Sequence, residues 1–162
     1  MKTTKKDFDM TRDDVMRDTL AHVRRVGSLL GDVLRDLQDR TVNHDASKFS
    51  EDEFDAFAAT TPKLRGLTYG SEEYRAALRE IKPAVELHYS RNRHHPEHFA
   101  GGFADMTLVD ILEMLADWKA ASERHADGDF ARSIEQNTKR FGYDETIEAL
   151  LVRTARYLEW LP

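Results

Sequence analysis

Histidines and acidic residues occur in close groups along this chain, and these residue types bind metal ions in proteins. His44 and Asp45 are adjacent, and Lys48 follows one helical turn later. An imidazole nitrogen beside a carboxylate that can bridge two cations would form a metal centre, and the lysine would bind a phosphate oxygen. The pair has a second interpretation, in which Asp45 caps a helix and Lys48 lies in solvent.

The densest group of histidines lies further along the chain and consists of His88, His94, His95 and His98. Imidazoles this close repel one another when they are protonated, and a shared metal ion would keep them neutral and ordered. Arg91 lies between the rings in the sequence and would give an anionic substrate its counter-charge. The alternative is a solvated histidine-rich loop.

Two further positions extend the set of candidate residues. His22 falls on the apolar stripe of the first predicted helix, where a histidine packed in the core is the alternative to a ligand. Asp110, Glu113 and Asp117 have the spacing of one side of a helix, next to apolar residues. Carboxylates there need a cation or the side chains of Lys and Arg, and for Asp110 we favour a salt bridge.

Hydrophobic spacing predicts the helices that would position these groups. Apolar residues at spacings of three and four predict a long helix over residues 11–39. Its stripe holds Val15, Thr19, His22, Val26, Leu29, Leu30, Val33 and Leu37. A capping box of Ser50 and Glu53 predicts a short helix that ends before Pro62, with Phe54 and Phe57 on its buried face.

The second half of the chain gives similar signals. Ser71 caps a helix that Pro83 kinks or restarts, and residues 91–105 form an ordered loop. Thr107 and Asp110 open a helix to about residue 125. Its core side is Leu108, Ile111, Leu112, Leu115 and Trp118. Two helices follow, near 129–140 and 144–161, separated by Gly142. The sequence thus predicts an all-α fold, a single compact bundle of six to seven helices over 11–162, after a flexible arm at 1–10.

Composition limits the classes of protein that fit. The chain of 162 residues has no cysteine, so disulfides and thiolate sites are excluded and any metal must have nitrogen and oxygen ligands. The net charge of -6 argues against a protein that coats nucleic acid. Since no apolar run could span a bilayer and the start lacks a secretory signal, we expect no membrane contact and a cytoplasmic location.

The order of these residues resembles the HD superfamily of metal-dependent phosphohydrolases, and its HD-GYP phosphodiesterases in particular. The motifs concerned are His44-Asp45-Ala46-Ser47-Lys48, His94-His95-Pro96-Glu97 with Gly101-Gly102, and Leu115-Ala116-Asp117. The Gly-Tyr-Pro triplet is absent and His88 lies closer to His94-His95 than in those enzymes, so cyclic-dinucleotide specificity is not implied. The sequence around these motifs also resembles that of an uncharacterised family of small bacterial and phage proteins.

The resemblance implies a site with one or two divalent ions, drawn from Mn, Fe, Co, Mg, Ni and Zn. It assigns one ion to His22, His44, Asp45 and Asp117, and a second to Asp45, His88, His94 and His95. A metal-activated water would cleave a phosphate ester of a small phosphorylated molecule, by analogy a nucleotide. Lys48 and Arg91 would hold phosphate oxygens, and Glu113 would support a ligand or accept a proton.

Two other functions fit the same residues. The ligands could hold two irons, as in the HD-type oxygenases that resemble myo-inositol oxygenase. The chain could instead be a helical module, such as a phage accessory protein, that binds a metal or a partner without turnover. The oligomeric state does not follow from the sequence.

Overall fold

The computed structural model describes residues 10–68, 71–124 and 128–162. Within these ranges the chain forms helices and no strands, which confirms the predicted all-α fold. The α-helices are α1 (Arg12–Asn43), α2 (Glu51–Leu64), α3 (Glu72–Glu80), α4 (Lys82–Arg91), α5 (Leu108–Ser122), α6 (Phe130–Phe141) and α7 (Glu145–Tyr157). Three short 3₁₀ helices occupy Ala46–Phe49, Pro96–His98 and Gly102–Asp105.

The chain divides into two compact units, Met1–Asp39 and Arg40–Pro162. The first unit contains most of α1, and the predicted arm at 1–10 lies outside the described residues except for Met10. The second unit contains the other helices and every residue of the candidate site except His22. The single domain over 11–162 stays a prediction.

The predicted caps position two of these helices. The Ser71 side chain accepts a hydrogen bond from the backbone N–H of Tyr74 at 3.1 Å, and α3 begins at the next residue. Thr107 and Asp110 form a reciprocal capping box at the start of α5. Each of these bonds satisfies an N–H group that lacks a partner inside its helix. Pro83 lies in the first turn of α4, where its missing N–H costs nothing, so the helix restarts there as predicted.

The prediction for α2 was wrong in two respects. The helix does not end before Pro62 but continues to Leu64, and the proline lies in the last turn, where little of the helix follows it. The buried face of α2 also differs from the predicted one. Glu53 and Thr60, two turns apart, are buried, and Phe54 is consequently 50% exposed.

A hydrophobic core joins α5, α6 and α7. Its buried members are Met114, Leu115, Trp118, Phe130, Ile134, Leu151 and Ala155. The predicted core side of α5 is confirmed at Leu115 and Trp118, whereas Leu108 is 72% exposed because it is the first residue of the helix and the core packs from Ile111 onward. None of the helices in the described ranges is both long enough and apolar enough to cross a membrane.

Candidate metal centre

Asp45 lies in the turn that follows α1, and its backbone is left-handed with φ of 56°. This region is uncommon for residues other than glycine, although Asp and Asn tolerate it. The Lys48 ammonium donates to Asp45 Oδ2 at 2.5 Å, whereas Asp45 Oδ1 is buried and has no hydrogen-bond partner among the described residues. The turn therefore places one buried carboxylate oxygen where no described residue donates a hydrogen bond to it.

Three imidazoles surround that oxygen. His88 comes from the last turn of α4, and His94 and His95 come from the loop that follows this helix. The Nε2 atoms of His88 and His94 lie 3.1 Å and 3.4 Å from Asp45 Oδ1. The Nε2 atoms of His88 and His95 are 3.0 Å apart. One ligand atom from each of these four residues lies within 4.8 Å of all the others, which is the spacing of a metal site.

Glu53 determines which nitrogen of His88 faces the centre. The Glu53 carboxylate is fully buried, and its Oε2 lies 3.0 Å from His88 Nδ1. A carboxylate accepts hydrogen bonds and cannot donate them, so Nδ1 carries a proton, and Nε2 is the nitrogen that faces Asp45 and His95. Pairs of this kind orient the histidine ligands of metal ions.

Glu113 has the same effect on His94. Its Oε1 lies 3.2 Å from His94 Nδ1, so this carboxylate holds the ring with Nε2 facing Asp45 Oδ1, 3.4 Å away. His94 is buried, and its Nε2 is another buried atom without a hydrogen-bond partner in the described part of the chain. The guanidinium of Arg40 donates a hydrogen bond to the other oxygen of Glu113, Oε2, at 2.7 Å and so holds this carboxylate in place.

The protonation states of the cluster fit a cation. Burial lowers the pKa of His95 to about 2, and the neighbouring imidazoles act in the same direction, so its ring is neutral. Burial raises the pKa of Asp45, but its close contacts with His88 and His94 and the charge of Lys48 lower it further, so the carboxyl titrates well below its usual range. The centre thus contains an ionised carboxylate and, in His95, a neutral imidazole, which are ligand types of Zn, Fe and Co sites.

His44 and Asp117 form the edge of the site. His44 Nε2 lies 3.7 Å from both Asp117 Oδ1 and Asp45 Oδ2, and His44 Nδ1 lies 3.0 Å from Glu113 Oε1. The nearby carboxylates of Asp117 and Glu113 raise the pKa of His44 to about 10, although burial opposes this shift. The ring is therefore protonated in this arrangement. We define the rim of the site as His44, Asp45, Lys48 and Asp117, whose side chains are between 20% and 33% exposed.

The other sequence-predicted residues lie in different surroundings. Arg91 binds Asp52 at 2.9 Å and Glu53 Oε1 at 3.1 Å, so its charge is already paired with two carboxylates. His22 is exposed on α1 in the first unit, and its assignment as a ligand stays a prediction. Asp110 is buried and bound by both Arg93 and Arg40, the salt bridge that the sequence favoured over a cation.

Sequence reasoning missed Glu53 as part of the site because a capping box accounted for it. The structure shows no capping bond from Ser50; instead Ser50 Oγ accepts from Arg91, and Glu53 faces His88. A signal was nevertheless present in the sequence. Glu53, Phe57 and Thr60 have the spacing of one helix face, and a carboxylate on a face with buried neighbours needs a charged or hydrogen-bonded partner.

Comparison with known proteins identifies the class of this helical chain but not its chemistry. Residues 11–159 match the family of unknown function DUF5662. Because the match covers nearly the whole chain, the chain belongs to this family. Neither the curated proteins nor the solved structures give a match.

Proposed function

We propose that this protein is a metal-dependent phosphohydrolase whose ion is held by Asp45, His88, His94 and His95. The observation that carries the proposal is the convergence of their ligand atoms, two of which, Asp45 Oδ1 and His94 Nε2, are buried without a hydrogen-bond partner in the described ranges. A buried polar atom without a partner is costly, and a cation would satisfy both at once.

The spacing of the ligand atoms supports a single ion between them. Two ligands that share an ion at about 2.1 Å lie about 3.0 Å apart at a right angle and about 3.4 Å apart at the tetrahedral angle. The three separations at the centre, two to Asp45 Oδ1 and one between His88 and His95, are 3.1, 3.4 and 3.0 Å. Imidazole-rich sites favour Zn, Fe, Co or Ni, and Mn remains compatible through the carboxylate.

The chemistry of the proposal combines this ion with the rim. A bound divalent cation would act as a Lewis acid and lower the pKa of a bound water. Lys48 lies on the rim with its ammonium beside Asp45 Oδ2, where a phosphate oxygen could compete for it. The protonated ring of His44 adds a second positive group at the same edge. Glu53 and Glu113 would keep His88 and His94 oriented throughout, since they contact the far nitrogens of those rings.

The substrate class rests on the resemblance to HD phosphohydrolases and on the cationic groups of the rim. We expect a small phosphate ester, with nucleotides the first class to test. We assign Arg91 no role in the reaction because Asp52 and Glu53 already bind its guanidinium.

The test begins with elemental analysis of the purified protein. The protein is then stripped with a chelator and reloaded separately with Mn, Fe, Co, Ni, Zn and Mg. Each form is assayed against nucleoside mono-, di- and triphosphates and against nitrophenyl phosphate mono- and diesters, with released phosphate and alcohol measured. We expect about one ion per chain and turnover that depends on the ion added.

Asp45→Asn provides the decisive variant because asparagine keeps the shape of the side chain and tolerates the left-handed backbone. It should lose both metal and turnover. Asp55→Asn, the same change at an exposed position of α2, should lose neither. Protein with a full complement of metal and no turnover on any substrate would refute the hydrolase, and a metal-free protein that cannot be loaded would refute the centre itself.

A further inference from the structure

The largest apolar surface in the first unit lies on α1. Helix α1 has no buried residue over its length, from Arg12 to Asn43. Nine large apolar side chains of α1 within the first unit are between 39% and 66% exposed: Val15, Met16, Leu20, Val23, Val26, Leu29, Leu30, Val33 and Leu34. We call this set the α1 face. Its members follow one another at helical spacing, so they form one continuous stripe.

The rest of α1 is polar, and part of its charge is paired within the helix. Arg17 pairs with Asp14 and Arg35 pairs with Asp32, each one turn away. Ser28 lies on this polar side, about 200° around the helix from Leu30. The helix is therefore strongly two-sided, and its apolar side has the character of a surface that another helix covers.

The spacing of apolar residues along α1 is typical of a helix that packs lengthwise against another helix. Five members of the α1 face, together with Gly27 and the half-buried Leu37, form a run with alternating steps of four and three: Met16, Leu20, Val23, Gly27, Leu30, Leu34 and Leu37. This alternation is the heptad repeat, which brings one side of a helix against a like helix along its whole length. Gly27 interrupts the run, and a Cβ atom added there would meet no other atom within 4 Å, so this part of the helix is open to a neighbour.

The area available on α1 is what a stable dimer requires. A large aliphatic side chain carries on the order of 100 Å² of apolar surface, so the nine side chains, each about half exposed, present roughly 400–500 Å². A standard interface buries about 800 Å² on each partner, and a little over half of that area is apolar. The remainder would come from the polar flanks of the helix.

We propose that the protein is a homodimer in which the α1 face packs against the α1 face of a second copy. An identical helix is the occupant that the heptad pattern specifies, because two copies of one apolar stripe cover each other by two-fold symmetry without any other surface. This inference is independent of the proposed hydrolase, since no residue of the α1 face belongs to the candidate metal centre.

The first test is the mass of the intact protein in solution, by light scattering at micromolar concentration. We expect twice the 18.7 kDa of one chain. Leu30→Glu should halve the measured mass, because it places a charge at the centre of the face in both copies. Ser28→Glu introduces the same residue on the opposite side of α1 and should leave the mass unchanged. A wild-type protein with the mass of one chain would overturn the proposal, and so would a Leu30→Glu variant that stays dimeric.

A second test does not depend on how well Leu30→Glu folds. Because the chain has no cysteine, Leu30→Cys and Ser28→Cys each introduce a single thiol. A short bifunctional maleimide should join two copies of Leu30→Cys and leave Ser28→Cys as single chains. Equal cross-linking of both variants, or cross-linking of neither, would contradict pairing through the α1 face.

Discussion

Replacing Glu53 with glutamine removes a buried negative charge and keeps the size of the side chain. In the structure the Glu53 carboxylate contacts three groups: His88 Nδ1 at 3.0 Å, Ser47 Oγ at 3.0 Å and Arg91 Nη1 at 3.1 Å. The amide of glutamine has one accepting oxygen and one donating nitrogen. Whichever way it turns, one of these groups loses its acceptor, and His88 loses its ionised partner.

The expected loss of stability follows from these contacts. A hydrogen bond to a charged group contributes about 1.5–3 kcal/mol when it is buried, as the bond to His88 is. The pair with Arg91 adds less, roughly 0.5 kcal/mol, because the arginine side chain is 36% exposed and water screens it. We therefore expect Glu53→Gln to lower the free energy of unfolding by about 2 kcal/mol, measured by denaturant titration.

The effect on metal affinity separates orientation of the ligand from general stability. Loss of the carboxylate that orients a histidine ligand weakens metal binding by about 10- to 100-fold in known sites. We expect a loss in that range for Glu53→Gln, measured by competition with a chromophoric chelator. Asp52→Asn is the matched control, since Asp52 also binds Arg91, at 2.9 Å, but does not contact His88. The control should bind metal as the wild type does.

The reasoning fails if Glu53→Gln binds metal within about twofold of the wild type. A variant that is less stable but binds normally would show that Glu53 only packs α2 against α4. If Asp52→Asn and Glu53→Gln lose affinity equally, the cause is the freed arginine and not the tautomer of His88.

Two further predictions concern stability. Asp110→Asn should lower the free energy of unfolding by about 2–3 kcal/mol at neutral pH. Burial raises the pKa of Asp110, but hydrogen bonds with Arg93, Thr107 and Arg40 outweigh this effect and lower the pKa to about 2. This depressed pKa stabilises the fold above pH of about 4 and the effect is lost as the pH falls toward 2, so the difference from wild type should shrink over that interval in acid titrations. Removal of the ion with a chelator should lower the melting temperature by roughly 5–10 °C if the ion had been at about 100 times its dissociation constant. Asp45→Asn should show no such shift with metal or chelator, and an equal shift would place the ion elsewhere.

Local patterns predicted the elements of the fold well. The caps at Ser71 and Thr107 lie where the sequence indicates, because a capping bond joins residues only three apart. The same reasoning failed at Ser50 and Glu53, where a capping box competes with partners far along the chain. Glu53 binds His88, 35 residues away, and a local pattern contains no information about that contact.

The candidate site was predicted in part for a similar reason. The sequence grouped Asp45, His88, His94 and His95 through a family resemblance, and the structure brings their side chains together, although binding of an ion is still a prediction. The sequence proposed Glu113 as a residue that supports a ligand, but spacing alone could not identify Glu53, the carboxylate from α2 that faces Nδ1 of His88. It also could not show that Lys48 binds the carboxylate three residues before it.

The arrangement implies that the ligands are oriented before any ion binds. The inward nitrogens of His88 and His94 are fixed by Glu53 and Glu113, which are held in turn by Arg91 and Arg40. Each of these contacts joins separate helices or turns, so the positions of the inward nitrogens depend on the packing of α2 and α5. A site of this kind would bind an ion with little rearrangement, and its affinity should therefore respond to substitutions at Glu53 and Glu113 as well as to loss of a ligand.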